Sequence, residues 1–236
     1  NLGLRYETQT NIRDHLDWGP RLGFAWGLGW QPKTVIRGGF GVFYDRVGES
    51  LVLEALRLNG VNQQQYLVRW PDFFPNVPDP ESLASARLPT AVRVIDPTLK
   101  APYMMQTAVS VERQLPHNIF ASITWAGTRG VHLLRSRNIH APVNGVRPFA
   151  GGDIYAYEST GGFRQQQLIA NVNARVSPKF TLFGFYALSH ARSDTDGPGT
   201  FPTNSWDLAS EWGRAAFDIR HRVFWAARLP RRWDCT

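Results

Sequence analysis

Residues 103–127 read YMMQTAVSVERQLPHNIFASITWAG, and in both halves of this stretch apolar side chains alternate with small or polar ones. The apolar rows are Met105, Thr107, Val109, Val111 and, after a turn at 115–118, Ile119, Ala121, Ile123, Trp125. Because successive side chains of a strand point to opposite faces, the stretch predicts a hairpin with one apolar and one polar face. Each strand is long enough to cross a bilayer when tilted. A soluble β-sandwich shows the same alternation, so one hairpin alone leaves both folds open.

The rest of the chain repeats this pattern and separates the two folds. Further strands are predicted at 1–7, 21–30, 35–44, 163–176, 180–189 and 218–229. The turns near Pro32, Pro116 and Pro178 are short, whereas the segments 45–102, 128–162 and 191–216 are long. Short turns on one side and long loops on the other are typical of outer-membrane barrels. We therefore predict an all-β fold: an antiparallel transmembrane β-barrel segment of about eight spanning strands, with long extracellular loops and short periplasmic turns.

The longest predicted loop contains two local signals of secondary structure. Residues 48–58 have helical spacing of leucines and predict a short helix, and residues 64–68 are compatible with a strand. The following residues, 70–80, are rich in proline and contain Phe73-Phe74.

Composition narrows the class of protein. The chain has 236 residues, a formal net charge of +7 and nine tryptophans, and no apolar run approaches the length of a membrane helix. Its arginines are spread along the chain rather than clustered, which argues against a nucleic-acid partner. The single cysteine, Cys235, cannot form an internal disulfide or a cysteine-based metal site.

Two of the strand stretches, together with shorter segments, resemble the barrel of TonB-dependent outer-membrane receptors, and are most similar to the Oar-like group. The stretches are WGPRLGFAW at 18–26 and IRGGFGVFYD at 36–45, with similar segments at 102–106, 112–116, 193–194, 211–214 and 218–222. The resemblance covers nearly the whole chain and consists of strand and loop patterns rather than a catalytic signature.

This resemblance implies a barrel of 22 strands preceded by a plug domain, in the outer membrane of a Gram-negative bacterium. The implied partners are outer-membrane lipid, the plug, the TonB energy-coupling protein and an unknown solute. Residues 1–236 would then be part of one receptor barrel domain, since we see no plug, TonB box or signal peptide. We therefore expect a fragment of a longer protein.

Motifs that suggest chemistry have simpler explanations. Gly38-Gly39-Phe40-Gly41 lies within a strand and does not open a helix, unlike a phosphate-binding loop. Asp194-Thr195-Asp196-Gly197 resembles the start of a calcium loop but lacks its closing glutamate. Asp218, His221 and Ser189 lack a nucleophile elbow. We predict no catalytic residues, metal site or cofactor, and hence a protein that is not an enzyme.

The arginines of the predicted polar face admit a structural and a functional interpretation. Arg21, Arg37, Arg175 and Arg222 would pair with acids such as Glu112 or with the plug, or would guide an anionic solute. The structural interpretation is favoured.

The functional hypothesis is a receptor barrel that takes up a scarce solute. Candidate ligand contacts are aromatic and arginine residues of the loops, chosen for their chemistry and position: Trp70, Phe74, Arg137, Tyr155, Tyr157 and Trp206. The alternative is a non-transporting surface barrel, an adhesin or structural protein. A soluble β-sandwich binding module is the weakest hypothesis and predicts folding in plain buffer.

Overall fold

The computed structural model describes residues 1–29, 33–63, 66–86, 91–148, 151–177 and 180–228. None of the helices in these ranges is both long enough and apolar enough to cross a membrane. The turn residues Gln31, Pro32, Pro178 and Lys179, part of the 64–68 segment, and Cys235 lie outside the described residues.

The described chain is dominated by one sheet. Its strands are β1 (Leu2–Glu7), β2 (Asp17–Leu28), β3 (Thr34–Tyr44), β4 (Val92–Ile95), β5 (Tyr103–Leu115), β6 (Ile119–Asn138), β7 (Ile154–Ser177), β8 (Phe180–Ser193), β9 (Gly213–Arg214) and β10 (His221–Arg228). Eight of them form an antiparallel meander in the order β1-β2-β3-β5-β6-β7-β8-β10. Short β4 lies parallel to β7, and β9 pairs with β8. In the part of the chain that the structure describes, β1 and β10 form no ladder with each other, so the sheet is open.

The sheet has an apolar face and a polar face, as the alternation predicts. One cross-strand row of the apolar face joins Trp26, Ile36, Val111 and Ile123, and the next carries Trp125 and Leu168. Large apolar side chains on this face are exposed, for example 61% of Trp26 and 58% of Ile123. No other part of the described chain therefore covers this surface.

The polar face is held by hydrogen bonds between short side chains and by ion pairs. Arg37 donates to Glu112 over 3.0 Å, so the predicted pairing of a polar-face arginine with this acid is confirmed. The hydroxyl of Thr124 donates to that of Ser110 over 3.0 Å, and Asn171 donates to Ser122 over 3.2 Å. Each bond joins neighbouring strands and satisfies a polar group on this face.

The connections sort by end, as the sequence predicts. Segments 8–16, 45–91, 139–153 and 194–212 leave the sheet at one end, and the turn at 116–118 lies at the other. His117 and Asn118 both adopt positive φ (61° and 56°), which matches the right-handed twist of the flanking strands. The loop predicted at 128–162 is shorter than expected. Strand β6 continues to Asn138, and strand β7 already begins at Ile154.

The long connections carry a hydrophobic cluster of their own. Helix α1 (Glu49–Arg57) confirms the predicted helix. Of the predicted strand at 64–68 the structure describes residues 66–68, in which Tyr66 forms an isolated bridge. Short 3₁₀ helices follow at Pro80–Ala86 and Ala209–Glu211. Ile12, Val47, Leu99 and Ala101 are buried together, and Leu51 of α1 packs against them. Burying a side chain such as Ile or Leu contributes roughly 1.5–3 kcal/mol, so this cluster fixes three distant segments at the long-loop end.

Candidate functional site

Arg93 of β4 is the centre of an aromatic and ionic cluster at the long-loop end. Its guanidinium pairs with Glu54 of α1 over 2.9 Å and donates to the hydroxyl of Tyr157 over 3.1 Å. The same group lies 5.5–5.9 Å from the ring centres of Tyr155, Tyr157 and Phe201, within the range of cation–π contact. The parallel pairing of β4 with β7 places Arg93 directly opposite Tyr155. Three segments far apart in sequence therefore meet at one cation.

Tyr157 is the buried member of this Arg93 cluster. Only 3% of its surface is exposed, and its hydroxyl donates to Glu54 over 2.6 Å. Burial and, secondarily, the hydrogen bond to the Glu54 carboxylate raise the pKa of Tyr157 to about 12. Tyr157 therefore stays a neutral donor at physiological pH and supports the position of the Glu54 carboxylate.

A second cluster lies on the neighbouring strands and contains Arg137. Its Nε lies 2.8 Å and 2.9 Å from the two oxygens of Glu158, whose side chain is 3% exposed. Its guanidinium lies 5.9 Å from the ring of Trp206, and the indole of Trp206 donates to the carbonyl of Ala141 over 3.2 Å. Trp206 remains 46% exposed, so it presents an anchored aromatic face to solvent.

The structure brings four of the six predicted contact residues into these two clusters. Tyr155 and Tyr157 belong to the Arg93 cluster, and Arg137 and Trp206 belong to the second. Trp70 and Phe74 lie apart, with 94% and 85% of their surfaces exposed. No contact with a ligand tests any of the six, so their role stays a prediction.

Sequence reasoning missed Arg93, Glu54, Phe201 and Glu158. The segment AVRVID at 91–96 places Arg93 between two valines, which is a strand-like alternation that could have drawn attention to it. Glu54 gave no such signal, because its partner Tyr157 lies 103 residues away along the chain.

The side chains of the rejected motifs are engaged elsewhere. Asp194 pairs with Arg135 over 2.8 Å and accepts from the amide of Gly162. Asp218 pairs with Arg214 over 2.8 Å, and His221 bonds to the hydroxyl of Tyr186 over 2.9 Å. These contacts give the acids structural roles at the ends of strands.

Comparison with known families decides the class of this protein. The family model for the outer membrane beta barrel domain matches residues 2–229. The chain belongs to this outer-membrane β-barrel family. Its apolar face is therefore the lipid-facing surface, its long connections are extracellular, and its short turns are periplasmic.

The solved structure of YddB agrees with the fold of the family. The outer membrane transporter YddB from Escherichia coli is 13% identical to this outer-membrane β-barrel chain, with a TM-score of 0.55, and the match covers 81% of this chain and 22% of YddB. The siderophore receptor PirA from Pseudomonas aeruginosa is 11% identical, with a TM-score of 0.39, over 81% of this chain and 37% of PirA. The chain thus spans well under half the length of either protein. No curated protein matches the sequence.

Proposed function

We propose that this chain is part of the barrel of a TonB-dependent receptor, similar to the Oar-like group, that takes up a scarce solute across the outer membrane. The observation that carries the proposal is the packing of the long extracellular connections into a layer with its own hydrophobic cluster and two ordered aromatic-cationic clusters. A wall that only sealed the membrane would not need this layer. The resemblance in fold to a protein described as an outer membrane transporter supports the proposal.

In this proposal each part of the chain has a physical role. The wall satisfies its backbone polar groups by strand pairing, as lipid requires, and the free edges of β1 and β10 would pair with further strands of the full barrel. The extracellular layer binds the solute with aromatic faces and arginines, for which Arg137, Tyr155, Trp206, Trp70 and Phe74 are the candidates. The buried Tyr157 would act indirectly, by holding the Glu54 carboxylate in place. A plug domain in the full-length protein would close the lumen and be moved by TonB. The role is transport rather than catalysis.

The high exposure of Trp70 and Phe74 favours a second candidate function. Two aromatic side chains that are 94% and 85% exposed on one loop suit contact with another surface. A non-transporting adhesin or structural barrel would use such contacts.

Uptake by the intact cell tests the two functions. The gene is deleted in its host and restored with the full-length wild-type or a Trp206→Ala variant, and depletion of solutes from the medium is compared by mass spectrometry. A receptor predicts one class of solute whose depletion requires both this gene and TonB and is reduced by Trp206→Ala. Unchanged depletion of every solute, with loss of cell attachment on deletion, would favour the adhesin.

A further inference from the structure

Three arginines form a straight row across the apolar face of the wall. Arg129 of β6 lies directly opposite Arg164 of β7, which lies directly opposite Arg192 of β8. All three side chains are exposed. They lie on the apolar face, because each is four residues along its strand from a member of the row Trp125, Leu168 and Leu188. We refer to Arg129, Arg164 and Arg192 as the arginine row.

The arginine row lacks compensating charge. Like charges directly opposite each other on neighbouring strands are destabilising. Among the residues that the structure describes, no carboxylate forms an ion pair with Arg129, Arg164 or Arg192. The next strand shows the contrast, since Arg214 lies opposite Arg192 and is neutralised by Asp218 at 2.8 Å. Three cations on one surface thus call for an external anion.

The height of the arginine row matches the outer boundary of the hydrocarbon. Ten residues separate Ile119, the first residue of β6 after the periplasmic turn, from Arg129. At ~3.3 Å per residue and a tilt of ~40°, this distance spans ~25 Å along the membrane normal. The apolar band of an outer-membrane barrel is also ~25 Å tall. The arginine row therefore lies where the headgroups of the outer leaflet begin.

A groove runs from the arginine row down onto the apolar surface. This open cavity of about 620 Å³ is lined by Arg129 and Arg164, and by Met105, which lies directly opposite Arg129. Phe40 and Trp125 line it one and two cross-strand rows nearer the periplasmic turn. Its floor includes Gly127, and the Trp125 indole lies so close that a Cβ at Gly127 would be 3.1 Å from the ring. Beside the row, Gln166 and His190 add hydrogen-bonding groups, and the Arg192 guanidinium lies 5.8 Å from the ring of Trp212. The groove thus joins a cationic end to an apolar end.

We propose that the arginine row binds the phosphate groups of an anionic lipid of the outer leaflet, whose acyl chain lies in the groove along Trp125, Met105 and Phe40. Arginine suits this role because its guanidinium donates two parallel hydrogen bonds to a phosphate. One bound polyanionic headgroup would neutralise the charges of all three arginines. It would also hold β6, β7 and β8 at a defined depth in the membrane. The site faces lipid rather than the lumen, so it is independent of the solute that the barrel carries.

The test compares a triple variant with a control of equal charge. In the full-length protein, Arg129→Gln, Arg164→Gln and Arg192→Gln are combined. The control combines Arg175→Gln, Arg222→Gln and Arg228→Gln, which removes three charges from the polar face instead. Each protein is placed in bilayers containing lipid A with or without its phosphates, and lipid retained after purification is counted by native mass spectrometry.

We expect the wild-type protein and the control to retain phosphorylated lipid A. The arginine-row variant should retain at least about tenfold less, because the loss of a single charge-assisted hydrogen bond already weakens binding by about tenfold. The variant should be as stable as wild-type, or more so, in neutral detergent, because mutual repulsion is removed. Equal retention of dephosphorylated lipid would overturn the proposal, as would equal loss in the control. If inorganic phosphate alone raised the melting temperature of wild-type as much as lipid A does, the site would bind free phosphate and the lipid assignment would be wrong.

Discussion

At the scale of single residues, charges above the membrane are satisfied mainly by one another. The side chains of Arg135 and Glu158 are 2% and 3% exposed, and each has an oppositely charged partner on a neighbouring segment. The Nε and Nη1 atoms of Arg135 have no hydrogen-bond partner among the described residues. Buried polar groups without partners are costly. Ion pairs across segments therefore hold the extracellular layer in one arrangement, and removing a single partner should have a large local effect.

Glu158→Gln tests this dependence. The substitution leaves the Arg137 guanidinium without its counter-charge, and we expect a cost of about 2 kcal/mol, less than the ~3–5 kcal/mol of a fully buried pair because a quarter of Arg137 reaches solvent. Hydrogen exchange of the upper β6 and β7 amides should become about 30-fold faster. Glu7→Gln is the control, since its partner Arg5 is 56% exposed and the pair should contribute under ~1 kcal/mol. Equal effects of the two substitutions would contradict this account.

The raised pKa of Tyr157 predicts a loss of stability at alkaline pH. The folded-state pKa of about 12 exceeds the ordinary value of 10.0, so the folded protein holds this proton more tightly than the unfolded chain. The resulting stabilisation is complete below pH ~10 and is lost as the pH rises to ~12. Burial also raises the pKa of Tyr44 and Tyr155, so several tyrosines should titrate late, and the component of tyrosinate absorbance near pH 12 should be missing in Tyr157→Phe. If the variant kept the late component, another tyrosine would be its source.

At the scale of elements, alternation predicts the wall and fails above it. Within the membrane one face meets lipid and the other carries mostly small or polar groups, so most strands show a period of two. Strand β8 departs from it, because Phe183 and Phe185 lie on the polar face opposite Asn173 and Asn171. Above the membrane, β6 and β7 have protein or water on both faces. The neighbours Arg135 and Ser136, for example, point to opposite faces and are both buried. No single medium imposes alternation there, which is why the sequence indicated a loop at 128–162. Arg137, Tyr155, Tyr157 and Trp206 could be selected by chemistry alone, but their partners Glu54 and Glu158 depend on packing between distant segments.

Gly184 of β8 tests the fit between neighbouring strands of the wall. A Cβ at this position would lie 2.5 Å from the Trp225 ring, and closer still to the carbonyl oxygen of Phe224 on β10. Gly184→Val should therefore push β10 away and reduce stability by about 1–3 kcal/mol. Gly23→Val is the matched control, because the nearest atom to its Cβ would be the Gly38 carbonyl oxygen at 3.9 Å. The midpoint of urea unfolding in detergent compares the two, and equal midpoints would count against the steric argument.

At the scale of the whole molecule, the chain exposes surfaces that water does not favour. Its apolar face is uncovered, and within the described residues β1 and β10 each have an unpaired edge. Exposed apolar patches and free strand edges promote association. We expect the isolated 236-residue chain to aggregate in plain buffer and to remain dispersed, with strand circular dichroism, in detergent micelles. Sedimentation velocity checks this outcome, and a monodisperse folded species in buffer would contradict the membrane interpretation of the apolar face.

The β6–β7 hairpin continues from the membrane wall into the extracellular layer, and its ladder is interrupted by two adjacent register shifts. Its ladder shifts register between Gly130 and Arg135, just above the arginine row, and is otherwise continuous down to the periplasmic side. A hydrogen-bonded ladder resists bending along its length, whereas a bulge is a local point of bend and twist. A force on the outer tip of the hairpin would therefore bend it at residues 130–135 rather than along its length. Movement of the extracellular layer would be converted there into rotation of the hairpin, while the part embedded in lipid keeps its place.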